Sequence, residues 1–254
     1  MAPDVETIEL GGVRLARLTR DQVVDHVFAA LSRGEGGWVI TPNADHLRRL
    51  RQEPGLGALY RDASLVVADG VPLVWAARLQ GTPLPERVAG SDLVGLLAAR
   101  AAREGRSLFL LGGDAGAAEG AAERLCAAHP GLRIAGTAAP RVSSPPASHE
   151  LVSLGQALAA AAPDLIYVAL GAPKQEQAIR ALRAALPRAW WLGVGISLGF
   201  LAGQVRRAPA WMQRLGLEWL HRLAQEPRRL ARRYLLEDLP FTLRLLVASW
   251  RGRR

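Results

Sequence analysis

The sequence predicts an α/β fold of the Rossmann-like kind: a mostly parallel sheet flanked by helices, followed by a C-terminal helical basic appendage. Three observations carry this reading. Short apolar runs end in glycine or aspartate turns, stretches of helical period separate them, and arginine content rises abruptly near Gln204. Strands that alternate with helices need crossover connections, which set the strands parallel and cover both faces of the sheet.

The elements follow in order. "GWVITPN" reads as a strand entering a polar turn, with the helix "ADHLRRLRQ" behind it. "ASLVVADG" is a second strand with Asp69 and Gly70 at its carboxyl end, followed by the helical "VPLVWAARLQG". "SLFLLGGDAG" is an apolar run entering a glycine turn, and the alanine-rich "AAEGAAERLCAAH" follows as a helix that contains Cys126. "LRIAGTAAP", "DLIYVALGAP" and "AWWLGVG" supply three more strands, separated by helices around "HELVSLGQALAAAA" and "KQEQAIRALRAAL". Three regions result: an N-terminal α/β region over 1–105, a nucleotide-binding region over 106–203 and the appendage over 204–254.

Charge sharpens the last boundary. The formal charge of +9 is concentrated in the appendage, where 12 arginines face four acids, whereas 19 arginines and one lysine face 19 acids before it. Such a block attracts nucleic acid, anionic lipid or a phosphorylated substrate. With 254 residues and 50% hydrophobic content the chain buries a sizeable core, and a single cysteine excludes an intrachain disulfide. The acidic start "MAPDVETIEL" is unlike a signal peptide, and the uncharged run from Ala189 to Val205 is interrupted by four glycines. The expectation is a cytoplasmic protein without a membrane-spanning helix.

Ligands of parallel sheets bind beyond the carboxyl ends of the strands. That rule selects Thr41 and Asn43, Asp69 and Gly70, Gly112 and Gly113, Gly136 and Thr137, Gly171 through Glu176, and Gly195. The "GGDAG" turn opens a helix whose free N–H groups suit a phosphate, although two glycines are also simply a tight turn. In "GAPKQE", Gly171 allows close backbone approach, Pro173 suits a first helical turn, and Lys174, Gln175 and Glu176 start one helix. Capping and the macrodipole account for Glu176 but poorly for Lys174, the only lysine in the chain, because a cation is misplaced at a helix N-terminus unless an anion is near. Asp69 reads equally as a turn residue or as a general base, and Arg87 as a surface arginine or as one that orients an anionic ligand. No D-x-D pair or metal-ligand spacing stands out, so metal-independent chemistry without a cofactor is expected, and Arg206, Arg207, Arg214 and Arg222 of the appendage are cations available to a bound anion.

In the appendage, Trp211, Leu215 and Trp219 recur at four-residue spacing as one apolar face, for packing on the core. Beyond them, Arg228, Arg229, Arg232 and Arg233 interleave with Leu230, Tyr234, Leu235 and Leu236, ahead of Phe241, Leu243, Leu245, Leu246, Val247 and Trp250. This is the pattern of a peripheral membrane anchor. It also fits a nucleic-acid binder, a reading that leaves "GAPKQE", "ADG" and "TPN" without a role.

Together, "TPNADHL", "VVADGVPLVWAARLQG", "ERVAGSDLV", "LFLLGG", "LGAPKQE", "VGIS…FLAGQVRRAPAW" and "GLEWLHRLAQEPRRLARRYL" resemble the WecG/TagA/CpsF glycosyltransferases, glycosyltransferase family 26, from about Trp38 to Leu235. The resemblance implies inverting transfer of an N-acetylmannosamine-type sugar from a UDP-sugar to a polyprenyl-diphosphate-linked N-acetylglucosamine, at the inner face of the cell membrane, in teichoic acid or related cell-surface polysaccharide synthesis. By motif, Asp69 resembles the family's general base. Thr41 and Asn43 resemble sugar-site residues, and Arg87 and Gln175 match the family's arginine and glutamine. Gly112, Gly113, Gly136, Gly171, Pro173, Lys174, Glu176 and Gly195 are the expected nucleotide-binding set. The expected partners are the donor, the lipid-linked acceptor and an anionic membrane surface, with no nucleic acid and with room for a homo-oligomer. One departure is Gly199, where the family pattern has an aspartate; a sugar-nucleotide binder that has lost catalysis is the alternative it keeps open.

Overall fold

A computed structural model of the chain describes residues 5–253. The strands are β1 (Thr7–Leu10), β2 (Val13–Ala16), β3 (Gly37–Ile40), β4 (Leu65–Val66), β5 (Ser107–Gly112), β6 (Arg133–Ala138), β7 (Leu165–Ala169) and β8 (Trp190–Gly193). The core helices are α1 (Arg20–Ser32), α2 (Ala44–Gln52), α3 (Gly57–Asp62), α4 (Val71–Gln80), α5 (Gly90–Glu104), α6 (Ala117–Ala128), α7 (Ser148–Ala161), α8 (Lys174–Leu182) and α9 (Ser197–Ala202). The appendage contains α10 (Ala210–Arg214), α11 (Glu218–Gln225), α12 (Pro227–Ala231) and α13 (Leu239–Arg251), the last two joined by a π-helical turn over Arg232–Asp238.

Six strands form one sheet in the order β4-β3-β8-β7-β5-β6, and every pair is parallel. β8 lies between β3 and β7, so the regions 1–105 and 106–203 share one sheet rather than forming separate layers. Side-chain alternation along the strands divides the core between the two faces. Leu108, Leu110, Tyr167 and Leu192 pack with α1, α5 and α6, whereas Phe109, Leu111, Ile166 and Trp191 pack with α2, α4, α7 and α8. Both faces are buried, which is why the strands read as continuous apolar runs.

Sequence reading passed over the antiparallel hairpin of β1 and β2. Its signal was present: Gly11 and Gly12 form the two-residue turn, with φ of 61° and 87°, between alternating runs. The appendage also folds back on the core. Phe241 and Leu245 of α13 are buried in the face that holds α2 and α4, and Arg48 Nε of α2 donates to Asp238 Oδ1 at 2.9 Å. The single face expected for Trp211, Leu215 and Trp219 does not form. Gly216, with φ of 72°, breaks the helix between α10 and α11, leaving Trp211 and Leu215 exposed while Trp219 packs edge-on to Tyr234. Cys126 lies within α6, where it is exposed.

Candidate active site

The sheet order gathers the residues that matter. β4, β3, β8 and β7 are consecutive neighbours, so the turns that follow them place Asp69, Thr41 with Asn43, Gly195, and Gly171 through Glu176 along one carboxyl edge. Beyond β4 the chain stays extended beside β3. Val67 N donates to Ile40 O at 3.0 Å and Asp69 N to Pro42 O at 2.8 Å, which fixes Asp69 at the sheet edge. The loop that carries Arg87 is stitched to the same strand, with Val88 N donating to Ala68 O at 2.8 Å.

Around Asp69 stands a compact ring of charge. Arg87 donates to Asp92 Oδ2 at 3.1 Å and to Glu218 Oε2 at 3.2 Å. Arg207 donates to Ser91 Oγ at 2.8 Å and Asp92 Oδ1 at 2.5 Å, and its Nε lies 3.5 Å from Glu218 Oε1. Among the described residues the Asp69 carboxylate has no hydrogen-bond partner. Enclosure by protein pushes its pKa from 3.8 up to about 7; Arg87 and Arg207 oppose the shift, while Glu218 and Asp92 add to it. A carboxylate poised there takes up or releases a proton near neutral pH, as a general base must.

A second cluster lies under β7 and β8. Gln175 Nε2 donates to Glu176 Oε1 at 2.7 Å, and Gly195 N donates to Gln175 Oε1 at 3.1 Å. Glu176 is buried, its Oε2 has no hydrogen-bond partner, and burial pushes its pKa up to about 7. Gly193 is required here, because a Cβ on it would stand 2.6 Å from Gln175 Nε2. On the β3 side, Asn43 caps α2 by accepting from His46 N at 3.2 Å, while its own N–H donates to His46 Nδ1 at 3.0 Å. Burial lowers His46 to about 4, so the imidazole is neutral and accepts that bond. Thr41 packs beneath Gly90, whose absent Cβ would meet Thr41 Oγ1 at 3.0 Å.

Other expected residues take different positions. Lys174 Nζ donates to Val142 O at 2.8 Å, so it pins the loop after β6 to the start of α8, which explains a cation at that helix terminus. Pro173 is the N-cap of α8, one residue ahead of its first turn. Gly171 takes φ of 75°, and its carbonyl accepts from Gln175 N at 2.9 Å. Gly112 is the last residue of β5, paired with Ala169 of β7, and Gly113 opens the turn that follows, with its N–H donating to Ala169 O at 2.8 Å. Gly136 lies within edge strand β6 rather than beyond its end, and a Cβ there would strike the Phe109 ring at 2.6 Å; it is a packing glycine. At Gly199, in α9, the space for a side chain is bounded by Val205 and Ile196.

The appendage arginines separate. Arg207 enters the charge ring at Asp69. Arg206 and Arg214 are exposed, Arg222 is half-buried, and none of the three makes an ion pair among the described residues. Sequence reading missed Ser91, Asp92 and Glu218, the partners of the two site arginines. The only available signal for Glu218 was the scarcity of acids in the appendage, four against 12 arginines. Among the described residues, no three His, Cys, Asp or Glu side chains gather as a metal ion would need.

A parallel α/β sheet with a carboxylate and paired cations at its carboxyl edge has the layout of a ligand site of the α/β group-transfer class. The sequence profile of the "Glycosyl transferase WecG/TagA/CpsF family" matches residues 8–254, and the chain belongs to that family. It is 32% identical over 199 residues to an N-acetylglucosaminyldiphosphoundecaprenol N-acetyl-beta-D-mannosaminyltransferase of Bacillus spizizenii (strain ATCC 23059 / NRRL B-14472 / W23), covering 78% of this chain and 75% of that protein. It is 33% identical over 165 residues to the enzyme of the same name from Bacillus subtilis (strain 168), covering 65% of this chain and 62% of that one.

Proposed function

We propose that this protein transfers an N-acetylmannosaminyl group from a UDP-sugar to N-acetylglucosamine carried on a polyprenyl diphosphate. The observation that carries the reading is the enclosed, unpartnered Asp69 carboxylate at the sheet edge of a chain related to enzymes of that named activity. Asp69 takes the proton of the acceptor hydroxyl as its oxygen forms a bond to the anomeric carbon. The bond from that carbon to the diphosphate oxygen breaks on the opposite face, and the configuration inverts.

UDP departs with its electron pair and growing negative charge, which arginines of the appendage receive without a metal ion. Thr41, Asn43 and Gln175 hold the sugar and nucleotide. No helix among the described residues is long and apolar enough to cross a membrane. We assign attachment at the cytoplasmic face to the exposed stripe of Leu236, Leu239, Leu243, Val247 and Trp250, beside Arg228, Arg229, Arg232 and Arg244.

Incubation with a panel of UDP-N-acetylhexosamines and a short-chain lipid-diphosphate-GlcNAc acceptor tests the assignment by product mass. One added N-acetylhexosamine from the UDP-N-acetylmannosamine arm is the expected result. No product from any donor, with UDP still bound, would replace this reading with that of a non-catalytic binder.

A further inference from the structure

Coulomb attraction alone would fold Arg87 and Arg207 onto Asp69. Neither makes that contact. Both guanidinium groups are occupied by the same two carboxylates, Asp92 at the start of α5 and Glu218 at the start of α11, at distances from 2.5 to 3.5 Å. Arg20 closes the outer edge of the group, 3.9 Å from Asp92. The charged groups that face Asp69 are thus Arg87, Arg207, Asp92 and Glu218, two of each sign, and the cations are bonded to the anions rather than to Asp69. Asp92 and Glu218 are 126 residues apart in the chain, and one comes from the core while the other comes from the appendage.

The consequence is chemical. A carboxylate paired with an arginine loses about 1–3 pK units and becomes a correspondingly weaker base. We propose that Glu218, with Asp92, is a positioning residue that holds Arg87 and Arg207 away from Asp69, so that the appendage completes the proton acceptor of the core. This inference rests on Asp69 being the base, as in the proposed function. It gives α11 a role distinct from contact with a leaving group or a membrane.

The test is the acid limb of the kcat/KM pH profile of the full chain, compared among wild type, Glu218→Gln, Glu218→Asp and Asp92→Asn, with Asp69→Asn as reference. Glutamine keeps an oxygen to accept from Arg87, so the docking bond survives while the charge is lost. The expected result is an acid limb displaced downward by about one pH unit in Glu218→Gln and in Asp92→Asn. At the plateau their rate should be about threefold to tenfold lower, as a weaker base dictates. Glu218→Asp should return the limb toward wild type. Limbs that stay in place while thermal stability falls would show a purely structural ion network and overturn the inference. If Glu218→Gln does not fold, Asp92→Asn decides on the same readout. Full turnover by Asp69→Asn would overturn both the base assignment and this inference, whereas an inactive Asp69→Asn with unmoved limbs would overturn this inference alone.

Discussion

Replacing Asp69 with asparagine should stabilise the protein as it removes its activity. In the folded chain burial lifts the carboxyl from 3.8 to about 7. Between those values the folded state holds a proton that the unfolded chain has already released, so stability falls as pH rises. The contribution is fully present below about pH 3.8 and lost as pH passes through about 7. At about 1.4 kcal/mol per pK unit, the ionised Asp69 costs the folded state up to about 4 kcal/mol at pH 8. Asparagine carries no such cost. With about 2–4 °C in Tm for each kcal/mol in a chain of this size, the variant should melt on the order of 10 °C higher than wild type at pH 8. The difference should shrink toward pH 5, where the wild-type carboxyl is protonated. Turnover should fall by about 10²–10⁴ through loss of the base. Scanning calorimetry at the two pH values, paired with UDP-release assays, measures both effects. A Tm difference independent of pH would refute the electrostatic account of Asp69, and an undiminished rate would refute its role.

Four further outcomes follow from the geometry. Glu176→Ala removes the acceptor for Gln175 Nε2 and frees the amide that holds Gly195 N, so calorimetric UDP affinity should fall about tenfold; Glu176→Gln, which keeps an acceptor, should fall less. Gly193→Ala drives a Cβ against Gln175 and should lower stability by about 1–3 kcal/mol, read from the urea midpoint. Lys174→Met loses the bond to Val142 O, and amide hydrogen exchange should rise across 139–147 with little change elsewhere. Serine at Leu243, Val247 and Trp250 leaves the packed face of α13 intact, yet should reduce co-sedimentation with anionic vesicles several-fold; unchanged binding would place the membrane contact elsewhere.

Much of the fold was legible because its signals are local. Apart from the partly exposed edge strand β6, the strands of the large sheet are runs buried on both faces, and the bounds predicted for α2 match the observed Ala44–Gln52. The hairpin at the N-terminus is equally local, marked by the Gly11–Gly12 turn between two short alternating runs. Candidate residues at strand ends were legible through the rule for parallel sheets, and Asp69, Thr41, Asn43, Gln175 and Gly195 do share one edge. Gly136 was misplaced because the end of an apolar run does not mark the end of hydrogen-bonded pairing, which here extends through Ala138.

By itself, then, the sequence determined the alternation of strands and helices, the membership of the family, the basic character of the last 51 residues and the place of an acid, Asp69, beyond the carboxyl end of β4. Tertiary structure decided the sheet order that inserts β8 between β3 and β7, the return of α13 onto α4, and the pairing of Arg87 with Glu218 across 131 residues of chain. The physical reason is one of range. Side-chain periodicity and turn chemistry are set by neighbours within a few residues, whereas the partner of a charge is set by which surfaces the whole chain brings together. Arginine content located the appendage, but only packing revealed that one of its few acids stands beside the site.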